Sequence, residues 1–131
     1  MKYSIINKQA EQLISNTSNL ISDLSNIAAL IYTSLDDVSW AGFYIFSNGK
    51  LLLGPFMGKP ACVFIENGKG VCGFALSKKE TVYVEDVSKF TGHIACDPNS
   101  KSELIIPLFK NKEVIALLDI DSEQLNRFNK N

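Results

Sequence analysis

The chain of 131 residues carries a formal net charge of -1, with 46% hydrophobic and 21% charged residues. This length suits one domain with one hydrophobic core, so we expect a single domain over residues 1–131. The balanced charge gives no attraction to nucleic acid or to an anionic membrane surface, so we expect neither as a partner. The sequence shows neither a long apolar run nor a signal-peptide pattern, which predicts a cytoplasmic protein.

The first predicted element is an amphipathic helical segment over about residues 8–33. Apolar side chains recur there at intervals of three and four residues, as on one face of a helix: Leu13, Leu20, Ile21, Leu24, Ile27, Ala28 and Ile31. The run from Ser15 to Asn19 consists of weak helix formers, so the segment is either two helices or one bent helix.

A predicted hairpin follows. Residues 38–46 are rich in aromatic and β-branched side chains, and Asn48-Gly49 favours a tight turn into a second strand at 50–54. Residues 61–65 predict a third strand, which would hold Cys62.

The second half of the chain predicts a short helix at 71–77, a strand at 81–84 and a hairpin of strands 102–110 and 113–119. The ten residues after Asp121 suffice for one or two helical turns. This order of elements predicts an α+β domain, in which an antiparallel sheet has helices packed on one face.

The side chains with reactive chemistry are the three cysteines and several residues of one loop. An odd number of cysteines in a reducing compartment favours catalytic, redox or metal-binding roles over a structural disulfide framework. The loop from Phe90 to Leu104 holds the only histidine, His93, close to Cys96 and Glu103. A cysteine among polar and turn residues in a loop can stay partly exposed and ionisable.

Six motifs occur in order between about Trp40 and Phe128: WAGFYIF, LLLGPFMGKPACVFI, GKGVCGFA, FTGHIACD, SKSELIIPL and LLDIDS. Together with the spacing of the three cysteines, they resemble the free methionine-(R)-sulfoxide reductases, a GAF-domain enzyme family. The resemblance implies a GAF domain with a central antiparallel sheet, helices on one face, and a ligand pocket on the other face that loops and a short helix roof over.

The resemblance also implies the reaction. A cysteine thiolate attacks the sulfur of free L-methionine-(R)-sulfoxide, methionine leaves, and a second cysteine converts the resulting sulfenic acid into a disulfide, which thioredoxin reduces. Carried over to this chain, Cys96 is the attacking thiol, and Cys62 and Cys72 are the candidates for the resolving cysteine, with Cys62 ranked first. We expect no bound cofactor and thioredoxin as the external reductant.

Reduction of a sulfoxide also needs an acid beside the departing oxygen. Glu103, Asp119 and Asp121 are the candidates, and the two aspartates lie on one face of the predicted strand. Carboxylates that share a confined site push one pKa upward, so that one of them can remain protonated. The resemblance points to Glu103 and Asp121 as the most directly engaged.

The resemblance assigns substrate contacts as well. Trp40 and Tyr44 lie four apart on one face of a predicted strand and would form the walls around the sulfoxide and S-methyl group. Backbone amides near Ile94 and Ala95 would bind the substrate carboxylate, which would favour a free amino acid over a peptide. His93 receives no proton-transfer role.

Three alternatives stay open. The first is a zinc site of Cys62, Cys72, Cys96 and His93, although the chain lacks the closely spaced cysteine pairs that zinc sites usually contain. The second is a GAF sensor module that binds a small ligand without catalysis. The third is a thiol peroxidase or a reductase of peptide-bound methionine sulfoxide.

The C-terminal segment departs from the family. Relatives continue after the LLDIDS motif into a longer helix beside the N-terminal helices, whereas the sequence here ends at Asn131. We therefore expect a shortened C-terminal helix. The apolar stripe of the N-terminal segment would then be exposed, which favours a homodimer.

Overall fold

The computed structural model describes residues 2–16, 18–92 and 96–128. In these parts of the chain the α-helices are Lys2–Ile14 (α1), Leu20–Ser34 (α2) and Gly70–Lys78 (α3), with a short 3-10 helix at Val87–Lys89. The strands are Trp40–Ser47 (β1), Lys50–Gly58 (β2), Phe64–Glu66 (β3), Val82–Val84 (β4), Ser102–Lys110 (β5) and Glu113–Ser122 (β6). They pair antiparallel in the order β3-β2-β1-β6-β5-β4. The predicted α+β class is confirmed.

The N-terminal helical segment consists of two helices. α1 begins at Lys2, earlier than the predicted start near residue 8, and ends at Ile14. The side chain of Asn19 caps α2 by accepting a hydrogen bond from the backbone N–H of Ser22, a donor that the first turn of a helix otherwise leaves without a partner. The weak helix formers therefore separate two helices, which was one of the two alternatives left open.

Two tight hairpins organise the sheet. Asn48 and Gly49 between β1 and β2 have φ angles of 51° and 77°, and Asn111 and Lys112 between β5 and β6 have φ angles of 52° and 68°. Two consecutive positive φ angles are typical of the hairpin turn whose twist matches that of the strands. Both hairpins agree with the prediction.

The connection before β3 corrects the sequence reading. β2 continues to Gly58 rather than ending near Gly54, and β3 begins only at Phe64. The prediction that the third strand holds Cys62 is therefore wrong. Pro60 has no N–H to offer a neighbouring strand, and the carbonyl of Cys62 accepts a hydrogen bond from a side chain of β1 instead.

The segment after β6 also differs from its prediction. Residues 123–128 form bends and turns, without helix in this described stretch. Asn126 adopts a φ of 59°, outside the helical region. The chain is nevertheless anchored there, because Phe128 is buried and packs edge-on against Tyr83 with ring centroids 6.3 Å apart.

The sheet separates two layers. Successive strand residues point to opposite faces, so the buried side chains of Ala41 and Phe43 face α2, which contacts β1 and β2. On the other face Trp40 and Tyr44 belong to the core cluster that α3 covers. None of the helices in the described residues is long and apolar enough to cross a membrane. The predicted arrangement, with helices on one face and a short helix roofing the other, is confirmed.

Candidate active site

A pocket opens on the α3 side of the sheet. It encloses a small cavity of about 50 Å³. Its border combines aromatic, thiol and carboxyl groups with two lysines: Trp40, Tyr44, Lys59, Pro60, Ala61, Ile65, Lys69, Gly70, Val71, Cys72, Cys96, Asp97, Ser100, Glu103, Asp119 and Asp121.

The strand register brings the acidic side chains together. Asp121 lies directly opposite Trp40 on β1 and directly opposite Glu103 on β5, so the three residues form one row across the sheet. Asp119 is two residues earlier on β6 and therefore shares their face. This alignment depends on a bulge at Leu108/Phe109, which shifts the pairing of β5 with β6 by one residue.

The carboxyl groups of this row strongly affect one another. Burial, followed by repulsion from Asp121, raises the pKa of Glu103. Burial and the charges of Asp121 and Glu103 raise the pKa of Asp119. For Asp121, burial raises the pKa to about 6, while hydrogen bonds from Asp119 and Glu103 oppose the increase. The cluster thus holds protons at a pH where exposed carboxyl groups have lost theirs.

Two of its oxygens are available to a ligand. Among the described residues, Oδ1 of Asp119 and Oδ1 of Asp121 are buried and have no hydrogen-bond partner. A buried polar atom without a partner is costly, so a polar ligand group that reached these oxygens would gain by satisfying them. Donor atoms of Cys72, Glu103 and Asp119 also lie within 4.8 Å of one another, a spacing that would fit a single small cation or one polar group of a substrate.

Aromatic rings form one wall. Trp40 and Tyr44 are 3% and 2% exposed and stack with ring centroids 6.0 Å apart, and Phe56 stacks on Trp40 at 5.2 Å. Gly42 lies between Trp40 and Tyr44, and a side chain there would overlap Cβ of Phe56 and the Trp40 ring. The missing side chain therefore allows the rings to pack into a continuous apolar wall.

The three cysteines occupy two environments. Cys62 and Cys96 are half-buried and form a disulfide with 5.5 Å between their Cα atoms. Cys72 is a free, buried thiol on α3 that donates a hydrogen bond to Oδ2 of Asp119 at 3.5 Å. Burial, together with the neighbouring carboxylates, raises the pKa of the Cys72 thiol, so it resists ionisation.

Most of the residues singled out in the sequence meet in this pocket: Trp40, Tyr44, Cys72, Cys96, Glu103, Asp119 and Asp121 line it, and Cys62 is joined to it through Cys96. His93, Ile94 and Ala95 lie outside the described residues. The sequence reading missed Lys59, Lys69, Asp97 and Ser100. Asp97 follows Cys96 directly, and that adjacency was the one available signal, whereas the two lysines resembled ordinary surface residues.

Comparison with known proteins gives a consistent result. Residues 9–131 match the GAF domain family. The chain is 44% identical over 126 residues to the free methionine-R-sulfoxide reductase of Escherichia coli, covering 96% of this chain and 76% of that protein. Among solved structures, fRMsr of Staphylococcus aureus in complex with substrate is 48% identical with a TM-score of 0.93, covering 98% of this chain and 84% of that chain. The free methionine-R-sulfoxide reductase from Neisseria meningitidis, in complex with its substrate, is 38% identical with a TM-score of 0.95, covering 98% and 77%.

Proposed function

Because this chain belongs to the GAF-domain family and, within it, to the free methionine-R-sulfoxide reductases, we propose that it reduces free L-methionine-(R)-sulfoxide to L-methionine. The observation that carries the proposal is one pocket that holds an aromatic wall, a buried carboxyl cluster and Cys96, whose disulfide partner is Cys62. These are the groups that sulfoxide reduction by thiols needs.

Cys96 is the nucleophile. Its thiolate attacks the sulfoxide sulfur, and the oxygen is transferred to Cys96 as methionine departs, so the sulfur of the substrate is reduced and Cys96 becomes a sulfenic acid. A proton must reach the oxygen during this step. Glu103 and Asp121 are the proposed source, since burial raises the pKa of both carboxyl groups, and Asp119 supports them from the next row of the sheet.

The pocket walls select the substrate. Trp40 and Tyr44 form the apolar surface for the sulfoxide and S-methyl group, where exclusion of water strengthens the hydrogen bonds to the sulfoxide oxygen. Binding of the substrate carboxylate by backbone amides near Ile94 and Ala95 stays a prediction, as those residues lie outside the described part of the chain. A peptide-bound methionine sulfoxide would lack both charged ends of the amino acid.

Cys62 completes the cycle. Its thiol condenses with the sulfenic acid of Cys96, which releases water and forms the disulfide. We assign the resolving role to Cys62 rather than Cys72, since Cys62 is the disulfide partner and the thiol of Cys72 is hydrogen-bonded to Asp119. The electrons come from the cysteines, so the reaction needs no bound cofactor. Thioredoxin is the proposed external reductant, and the half-buried Cys62 and Cys96 are accessible to a dithiol protein.

Two further features belong to this proposal. A disulfide that must be reduced after every turnover suits the reducing cytoplasm, where we place the protein. The outward faces of α1 and α2 carry exposed apolar side chains, with Tyr3 45%, Ile5 58%, Leu20 60% and Ile21 71% exposed. A second copy of the chain would cover them in a homodimer. Light scattering at micromolar concentration tests this, and a monomer alone would contradict it.

Turnover coupled to thioredoxin and its reductase tests the function through consumption of NADPH. Separate reactions contain the free R epimer, the free S epimer and an N-acetylated R derivative. We expect turnover of the free R epimer alone. Binding of the free R epimer without release of methionine would favour the sensor-module alternative, and turnover of the blocked derivative would favour a reductase of peptide-bound methionine sulfoxide.

A further inference from the structure

The chain segment that carries Cys62 is held at three points. Nε1 of Trp40 donates a hydrogen bond to the carbonyl of Lys59 at 3.0 Å, and the hydroxyl of Tyr44 donates to the carbonyl of Cys62 itself at 2.9 Å. The backbone N–H of Leu53 donates to the carbonyl of Val63 at 2.8 Å. Two of the three donors are side chains of β1, so the pocket wall also fixes the backbone of this connection.

Tyr44 is the donor closest to the disulfide. Its side chain is 2% exposed and stacks on Trp40, which limits its freedom to change conformation. Burial, followed by the charge of Asp119, raises the pKa of its hydroxyl, so the hydroxyl keeps its proton and remains a donor. The carbonyl that it holds belongs to Cys62, one residue before the Val63 anchor.

We infer that Tyr44 is a positioning residue for disulfide formation: it fixes the backbone of Cys62 so that the Cys62 sulfur is within reach of Cys96 once methionine has left. This inference rests on the proposed function. In the step concerned, the Cys62 sulfur forms a bond to the Cys96 sulfur, the S–O bond of the sulfenic acid breaks, and the oxygen leaves as water with the Cys62 proton and the hydroxyl hydrogen.

Geometry explains why fixing the backbone accelerates this step. A disulfide requires Cα atoms roughly 4.4 to 6.8 Å apart with converging side chains, and Cys62 and Cys96 meet that requirement at 5.5 Å. A thiol and a sulfenic acid that are held in the reacting geometry react without a preceding ordering step, whereas a free segment must first be ordered. Loss of one of these hydrogen bonds lets the backbone around Cys62 move more, so the reacting geometry occurs less often and the reaction is slower.

The test follows a single turnover of reduced protein with free methionine-(R)-sulfoxide. Release of methionine is measured by chromatography, and the lifetime of the Cys96 sulfenic acid by dimedone trapping with mass spectrometry. Tyr44→Phe removes only the hydroxyl. Because resolution follows the departure of methionine, altered substrate binding cannot change its rate. We expect a lifetime about fivefold longer, the factor that matches one typical hydrogen bond.

Tyr83→Phe is the matched control, since it removes a tyrosine hydroxyl that hydrogen-bonds to Asn126, outside the pocket, at 2.7 Å. We expect its sulfenic acid lifetime to equal that of the unmutated protein. Trp40→Phe removes the anchor at Lys59 and should also lengthen the lifetime. An unchanged lifetime in Tyr44→Phe would overturn the inference. Failure of the unmutated protein to release methionine would instead overturn the proposed function, and the inference with it.

Discussion

Sγ of Cys72 lies 3.5 Å from Oδ2 of Asp119, and this hydrogen bond joins α3 to β6 inside the pocket. Both residues are buried. The contact occupies the thiol proton of Cys72 and holds Asp119 in place, so that its second oxygen remains available in the pocket. Cys72 is thus better suited to hold the carboxyl cluster in place than to attack a sulfenic acid.

Replacement of Cys72 tests that role. Serine keeps a hydrogen-bond donor and alanine removes it, so we expect Cys72→Ala to lower the rate of methionine release about fivefold more than Cys72→Ser. Disulfide mapping should find Cys62–Cys96 in both variants. A persistent sulfenic acid in Cys72→Ser would show that Cys72 takes part in resolution.

Variants of the other two cysteines separate attack from resolution. Cys96→Ser should abolish the release of methionine even in a single turnover, because the proposed nucleophile is lost. Cys62→Ser should release one methionine per chain and then stop, because the sulfenic acid has lost its proposed resolving thiol. Quantification of methionine per chain in the presence of thioredoxin and its reductase checks both, because the unmutated protein continues to turn over under these conditions. Release of one equivalent by Cys96→Ser would contradict the assignment.

Glu103→Gln tests the proposed role of Glu103 as proton donor. The amide keeps the shape of the side chain but cannot deliver a proton, so we expect single-turnover methionine release to slow by roughly 10²-fold. Titration with a thiol reagent should still detect Cys96. Glu113→Gln, an exposed position on the neighbouring strand, is the matched control and should react at the normal rate. Equal rates for the two variants would exclude Glu103 as the donor.

The buried carboxyl cluster makes stability depend on pH. The pKa of Asp121 is about 6 in the folded protein and about 3.9 in an unfolded chain, so the folded state binds more protons between these values. The free energy of unfolding should therefore fall as pH rises from 4 to 6, by about 2 kcal/mol from this group. The groups that interact electrostatically with it are Tyr44, Cys72, Asp97, Glu103 and Asp119, and Lys59 and Lys69 also border the pocket.

Asp121→Asn removes this proton site. The stability of the variant relative to the unmutated protein should increase from pH 4 to pH 7, whatever constant offset the amide introduces. Urea unfolding of the disulfide form at several pH values measures it. A difference in unfolding free energy that does not change with pH would contradict the pKa argument.

Substitution of Gly42 tests whether close packing of the aromatic wall supports stability and substrate binding. A methyl group there would overlap Phe56 and Trp40, so we expect Gly42→Ala to lower the free energy of unfolding by about 1–3 kcal/mol and to raise KM. Gly49→Ala is the control: it lies in a hairpin turn with φ of 77° and with no atom near the added methyl. It should lower stability through backbone strain alone and leave KM unchanged.

The sequence was sufficient for the elements with strong local signals. Asn48-Gly49 predicts its hairpin because the turn itself requires positive φ, and the break near Asn19 follows from side chains that compete with the helix backbone. The resemblance to a family supplied the pocket residues that local patterns could not have assembled.

The register of the sheet could not be predicted in the same way. A two-residue turn at Asn111 and Lys112 with regular pairing would place Glu103 opposite Ile120. The bulge at Leu108/Phe109 moves the pairing by one residue and sets Glu103 opposite Asp121, and a slip of one residue exchanges the faces of a strand. Likewise, the predicted strand at Cys62 was wrong because its carbonyl bonds to the distant side chain of Tyr44.

The position of the disulfide between two connections of the sheet has a physical consequence for the domain. Cys62 immediately precedes the region of β3, Cys96 lies between β4 and β5, and β3 and β4 are the two outermost strands. The bond therefore joins the connection between β2 and β3 to the connection between β4 and β5 and cross-links a span of 34 residues, a constraint on the unfolded chain worth about 4 kcal/mol. Oxidised protein should melt at a higher temperature than reduced protein. The melting curve of a sample therefore reports the fraction of molecules in which the Cys62–Cys96 disulfide has not been reduced.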